Sequence, residues 1–110
     1  MAKYVTFVTY TSEAWARMIQ RPTDRTAAGR QLVDAVGGSV ECAYWMFGAH
    51  DGLFIFDVPD SISAATISVA LGSAGLFKNV ETHELLPQEQ FDQVLSRAKQ
   101  TAQAYQPPGL

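Results

Sequence analysis

From Lys3 to Thr9 the side chains alternate, with Tyr4, Thr6 and Val8 set against Val5, Phe7 and Thr9. That is the period-two pattern of a strand, expected over residues 3–9. Thr11 or Ser12 then offers a cap for a short helical stretch through Trp15 and Ile19. Pro22 interrupts it and is tolerated at the start of the next helix, which is expected to run to about Val36. Here the pattern changes to Ala28, Gly29, Leu32, Val33 and Val36, the i, i+3, i+4 stripe of a helix with one buried side. Gly37-Gly38 stops it. Two dense apolar runs follow, residues 40–47 and 53–58, rich in aromatic and β-branched side chains. The segment between them, Gly48-Ala49-His50-Asp51-Gly52, reads as a hairpin turn. Gly48 can take a positive φ there, and Asp51 can accept from free turn amides.

Pro59-Asp60 ends the third strand, and Asp60 or Ser61 caps a helix over about 62–71. No charged residue occurs from Ser61 to Phe77. A helix with no charged side predicts cover on more than one side, beyond its own sheet. Gly72-Ser73-Ala74-Gly75 ends it, and 77–85 reads as the fourth strand. Pro87 opens a last helix seamed by Phe91, Val94, Leu95, Ala98, Ala102 and Tyr105. Residues 1–105 are expected to form one domain and 106–110 a tail, because Pro107-Pro108-Gly109 cannot continue a helix.

The order β-α-β-β-α-β plus a terminal helix predicts an α+β, ferredoxin-like fold with a four-stranded antiparallel sheet. Right-handed crossovers place both connecting helices on one face of that sheet. The strands are apolar on both faces, however. Phe54 and Phe56 oppose Leu53 and Ile55, and strict alternation sets Val40 and Met46 against Ala43 and Trp45. An uncovered aromatic sheet face would be an adhesive patch, so the pattern predicts a homodimer with sheets packed face to face.

Composition narrows the classes. The chain has 110 residues, 47% hydrophobic and 17% charged, with a net charge of −3. Sparse charge on so small a domain agrees with some surface being covered by another subunit, in a dimer or a higher oligomer. Residues 1–30 hold Lys3, Arg17, Arg21, Arg25 and Arg30 against Glu13 and Asp24, whereas the remainder is acidic. The arginines fall near helical spacing, giving either a solvated helix face or a basic strip able to hold a carboxylate or phosphate. An acidic chain with no aromatic-interleaved basic stripe predicts no nucleic-acid partner. No apolar run approaches the ~20 residues of a membrane helix, and Met1-Ala2-Lys3 running straight into the first strand leaves no room for a signal peptide, so none is expected. Cys42 is the single cysteine and excludes an internal disulfide. A cytoplasmic protein is the expectation.

Three segments carry a family resemblance over about residues 3–95. They are Tyr4-Val5-Thr6 with the helix ending at Gly37-Gly38; Tyr44-Trp45 leading into Gly48-Ala49-His50-Asp51; and Leu71-Gly72-Ser73-Ala74-Gly75 with Val80-Glu81-Thr82. Together they resemble the GYD domain family of the dimeric α+β barrel superfamily. His50 stands where the family's eponymous tyrosine is found. The resemblance implies a barrel formed by two sheets and a small-molecule ligand in or beside it. Relatives range from cofactor-free monooxygenases to ligand-sensing domains, so the resemblance implies no particular reaction.

The candidate chemistry centres on His50 and Asp51 as a catalytic pair, because a histidine in a turn titrates near neutral pH and a neighbouring carboxylate could orient it. Against that stands a purely local role, with Gly48, Asp51 and Gly52 shaping the turn and His50 at the surface. Tyr44, His83, Tyr4 and Trp45 are candidate ligand-binding residues. His83 shares a strand face with Glu81 and Asn79, a polar lining beside aromatic walls. Two histidines 33 residues apart match no metal-ligand spacing, and neither falls on a helix, so no metal and no haem or other cofactor is expected. Two functional readings remain. One is a small-metabolite binder, with or without cofactor-independent chemistry; the other is a non-catalytic ligand-sensing or assembly module.

Overall fold

Side-chain caps set where the helices begin. In the computed structural model, which describes residues 1–109, Thr11 accepts from the Ala14 amide, Asp24 from Ala27 and Asp60 from Ser63. The elements in chain order are β1 (Ala2–Tyr10), α1 (Ser12–Gln20), α2 (Arg25–Ala35), β2 (Ser39–Trp45), β3 (Gly52–Val58), α3 (Ser61–Ser73), β4 (Phe77–Leu85) and α4 (Gln88–Thr101). A single 3₁₀ turn, Ala102–Ala104, extends α4. Asp24 rather than Pro22 starts α2, because an aspartate can satisfy the first free amides and a proline ring cannot. At its other end the Gly38 amide donates to Val33 O and the Gly37 amide to Asp34 O. Gly37 holds φ +79°, the left-handed cap a side chain would strain.

The four strands form one antiparallel sheet in the order β2-β3-β1-β4, with β1 paired to both β3 and β4. This is the ferredoxin-like α+β fold. Helices α2 and α3 lie on one face. There Val33, Ala64 and Ile67 close over Tyr4, Phe56 and Val58 to make the core. Thr6 is fully buried on this face, and its hydroxyl is shared with Thr82 at 2.8 Å, which in turn bonds Ser68 at 2.5 Å. That chain satisfies polar groups that burial would otherwise leave at a cost. Gly38 is required by a close approach, since a Cβ there would collide with the Asp57 carbonyl and the Val58 and Val33 side chains.

Strict alternation fails twice, in β2 and at the start of β4, where Thr9 pairs with Asn79 but Tyr10 pairs with Phe77. The β2–β3 register shifts between Val40 and Cys42, so Val40 pairs with Phe56 while Ala43 pairs with Phe54. The bulge puts Val40, Ala43 and Trp45 on the same, helix-covered face. The strand also ends at Trp45, which leaves Met46 and Phe47 in the turn. The terminal helix does not join the core. Every residue of α4 is exposed, and it packs substantially only against its own 3₁₀ turn. The radius of gyration is 17.7 Å, where a compact chain of this length has about 13 Å. Of the expected tail, Leu110 lies outside the described residues.

Candidate functional site

A cavity of about 210 Å³ opens between the sheet and the two connecting helices. Its floor is sheet side chains on the helix-covered face, among them Tyr10, Trp45 and Phe54. Leu32 of α2 and Leu71 of α3 close the sides, and Phe77 at the start of β4 completes the wall. Small residues make the space: Ala28 and Gly29 on α2, and Ala70 and Ala74 on and after α3, leave the helices standing off this end of the sheet. Tyr10 is the hub of its aromatic rim, with ring centroids 5.2 Å from Trp15, 5.2 Å from Phe77 and 6.2 Å from Trp45.

Two polar groups interrupt the apolar wall at the mouth, Arg25 and Thr26 in the first turn of α2. A cation at a helix N-terminus opposes the helix dipole, so Arg25 sits where its charge is locally disfavoured. Among the described residues it makes no ion pair with a carboxylate. The ion pairs among the described residues are Lys3 with Glu41 and Asp57, Arg17 with Glu13, and the two histidines with Glu81. Burial pushes the Tyr10 phenol up, and the Arg25 guanidinium beside it acts in the opposite direction. A shallower cleft along α1, lined by Arg17, Arg21 and Arg25, continues the mouth.

The uncovered sheet face carries the second cluster. Register places Tyr44, Leu53, Phe7 and Glu81 in one row across the sheet, and Cys42, Ile55, Val5 and His83 in the next. Glu81 accepts from Asn79 Nδ2 at 3.1 Å and lies 3.5 Å from His83 Nε2. These contacts, Asn79 foremost, hold its carboxyl below the usual range. His50 folds over this face with its ring 4.8 Å from Phe7 and its Nε2 3.8 Å from Glu81. Its Nδ1 is buried without a partner.

Asp51 is engaged elsewhere. Its carboxylate accepts the Tyr10 amide at 2.8 Å, at the point where the β1–β4 register shifts. Its own amide donates to Val8 O at 2.8 Å, and its carbonyl accepts from Met46 at 2.9 Å. Thr9 Oγ1 adds a bond to Ala49 O at 3.0 Å. Asp51 thus ties the hairpin turn to β1, and Glu81 is the carboxylate facing His50. Gly48 takes φ +121°, and a Cβ on Gly52 would lie 2.5 Å from the Trp45 indole.

The candidate residues therefore divide between two faces. His50, His83 and Tyr44 share the uncovered face, with Tyr44 64% exposed. Trp45 lines the cavity on the other face, and Tyr4 is buried in the core beneath the helices, stacked 6.0 Å from Phe56. The sequence reading missed the cavity as a unit. Its best signal was Arg25, a cation at the first position of a helix, which a basic strip alone did not single out.

Among the described residues no group of three His, Cys, Asp or Glu side chains is placed to hold a metal ion. No described helix is long and apolar enough to cross a membrane. The family description "GYD domain" matches residues 4–95. No curated protein matches the chain. Among solved structures, 5-chloro-2-hydroxyhydroquinone dehydrochlorinase (TftG) from Burkholderia phenoliruptrix AC1100, in complex with 2,5-dihydroxybenzoquinone, is 11% identical with a TM-score of 0.53. The match covers 80% of this chain and 97% of that one. The Arabidopsis thaliana protein At3g17210 is 12% identical with a TM-score of 0.50, over 80% of this chain and 96% of that one. At such identities the likeness is one of fold.

Proposed function

We propose that this chain, which belongs to the GYD domain family, is a homodimeric binder of a small organic anion. The ligand sits in the cavity between sheet and helices, and a second copy covers the opposite sheet face. The observation that carries the reading is the cavity itself, an apolar chamber whose lining includes one arginine, Arg25, with no ion pair among the described residues. Its size limits the occupant. An engineered cavity of about 150 Å³ holds benzene, so this one suits a single ring with a short substituent. An apolar body with a carboxylate would place its ring among Tyr10, Trp45, Phe54 and Phe77 and its charge against Arg25. TftG, of similar fold, holds a one-ring quinone, which agrees with that size. The lining has no carboxylate, imidazole or thiol to act as a general base, which favours binding over turnover in this chamber.

Calorimetric titration with phenylacetate and with neutral phenylacetamide tests the reading. Saturable binding of phenylacetate is expected, together with a change in Trp45 fluorescence. Arg25→Met should weaken phenylacetate by about 10–100-fold, the range of one charged hydrogen bond, and leave phenylacetamide unchanged. Absence of saturable binding by either compound overturns the assignment.

A second reading concerns chemistry on the sheet face. The buried, unpartnered Nδ1 of His50 beside the Glu81 carboxylate favours it. There His50 would act as a base on a ligand held between two sheets, with Glu81 in the orienting place that the sequence suggested for Asp51. Loss of turnover in both His50→Gln and Glu81→Gln, with ligand affinity intact, would support this reading over simple binding.

A further inference from the structure

Two apolar stripes on this chain have no partner, and they fit each other. On α3 the side turned away from the sheet presents Ile62, Ala65 and Val69, with Ile62 76% and Val69 72% exposed. No charged residue borders it from Ser61 to Phe77. On α4 the stripe is Phe91, Val94, Leu95 and Ala98, with Leu95 53% exposed. Exposed apolar surface arranged along two helices marks an interface. The small residues of α3 form a shallow bed, and the larger side chains of α4 supply the ridge to lie in it.

The two stripes do not meet within one chain, where α4 packs substantially only against its own 3₁₀ turn. Only Leu86 and Pro87 join β4 to α4, a reach of roughly 10 Å. Every residue of α4 is exposed. A membrane surface is a poor alternative occupant. The polar side of α4 carries Glu89 and Asp92 as well as Arg97 and Lys99, whereas surface-seeking helices are rich in basic residues.

We infer that α4 of one chain docks along the outer stripe of α3 on a second copy of this chain. The sheets are proposed above to pair face to face, which turns α3 of each copy away from the dimer's sheet interface. The recipient is then a copy outside that dimer, and the α4–α3 contact joins dimers into a larger assembly. This last step rests on the sheet pairing; the contact itself does not.

Mass measurement by light scattering on the full chain separates the outcomes. Val69→Glu and Leu95→Glu each place a charge at a site that is exposed in the single chain, so folding should persist and is checked by thermal melts. Each should lower the mass of the wild-type assembly, to a dimer where the sheets pair and to a monomer where they do not. The double variant Val69→Cys with Leu95→Cys should give covalent oligomers on oxidation that neither single cysteine variant gives, with Cys42 present throughout as the control. Unchanged mass in both glutamate variants overturns the inference. So does a loss confined to Leu95→Glu with cross-linking by Leu95→Cys alone, which would mean that two α4 helices pair with each other.

Discussion

The two faces of the sheet are built from alternate residues of the same strands, yet they differ in what covers them. One face carries Tyr4, Thr6, Phe56 and Val58 beneath α2 and α3, and these side chains are buried within a single chain. The other carries Phe7, Leu53, Ile55 and Tyr44, nearly as apolar, with the His50 and His83 rings against Phe7 and no helix over it among the described residues. Apolar content alone therefore does not locate a core. Cover does, and the face left open is the one on which the proposed second copy would sit. The same lesson separates α3 from α4. One helix is anchored by Ala64 and Ile67, while the other has a comparable seam and no anchor.

The sharpest break of this comparison uses neighbours on opposite faces. Phe56→Ala should cost about 3–5 kcal/mol, a large share of the stability of a domain of this size, seen as a collapse of the chemical denaturation midpoint. Ile55→Lys should instead act through association. Its melting temperature should lose any dependence on protein concentration, and light scattering should show a smaller species. An unchanged mass in Ile55→Lys would mean that the open face is not an interface.

The turn gives the next largest contrast. Asp51→Ala leaves the Tyr10 amide without its acceptor and should cost about 1–3 kcal/mol. His50→Ala removes a ring contact with Phe7 and should cost no more than about 1 kcal/mol. Paired urea melts that reverse this order would move the tie between turn and β1 from Asp51 to His50.

The smallest effect is in acid. The amide and hydroxyl of Ser63 hold the Asp60 carboxyl below its ordinary range. A lowered folded pKa means that the stabilisation is complete above the unfolded value, near about 4, and is lost as pH falls through the folded one. Asp60→Asn, which keeps a cap oxygen, should leave the melting temperature unchanged at pH 7 and flatten its decline below about pH 4.

Local rules were sufficient for the elements and their order. Period-two alternation, the stripe through Leu32 and Val33, the Gly37-Gly38 stop and the Asp60 cap are properties of nearby residues, and they act before any tertiary contact forms. They also placed Asn79, Glu81 and His83 on one face, because four residues of strand preserve their parity. Parity broke at the bulge after Val40 and again at the start of β4, where one extra residue reverses the face of what lies beyond it, and no local pattern announces that. The pairing of Asp51 with Tyr10 and of His50 with Glu81 spans tens of residues in sequence, so only the β3-β1-β4 order could decide it. The cavity is the extreme case. It is the space left where small residues of α2 and α3 face aromatic side chains of all four strands, and a gap between distant segments has no signature along the chain.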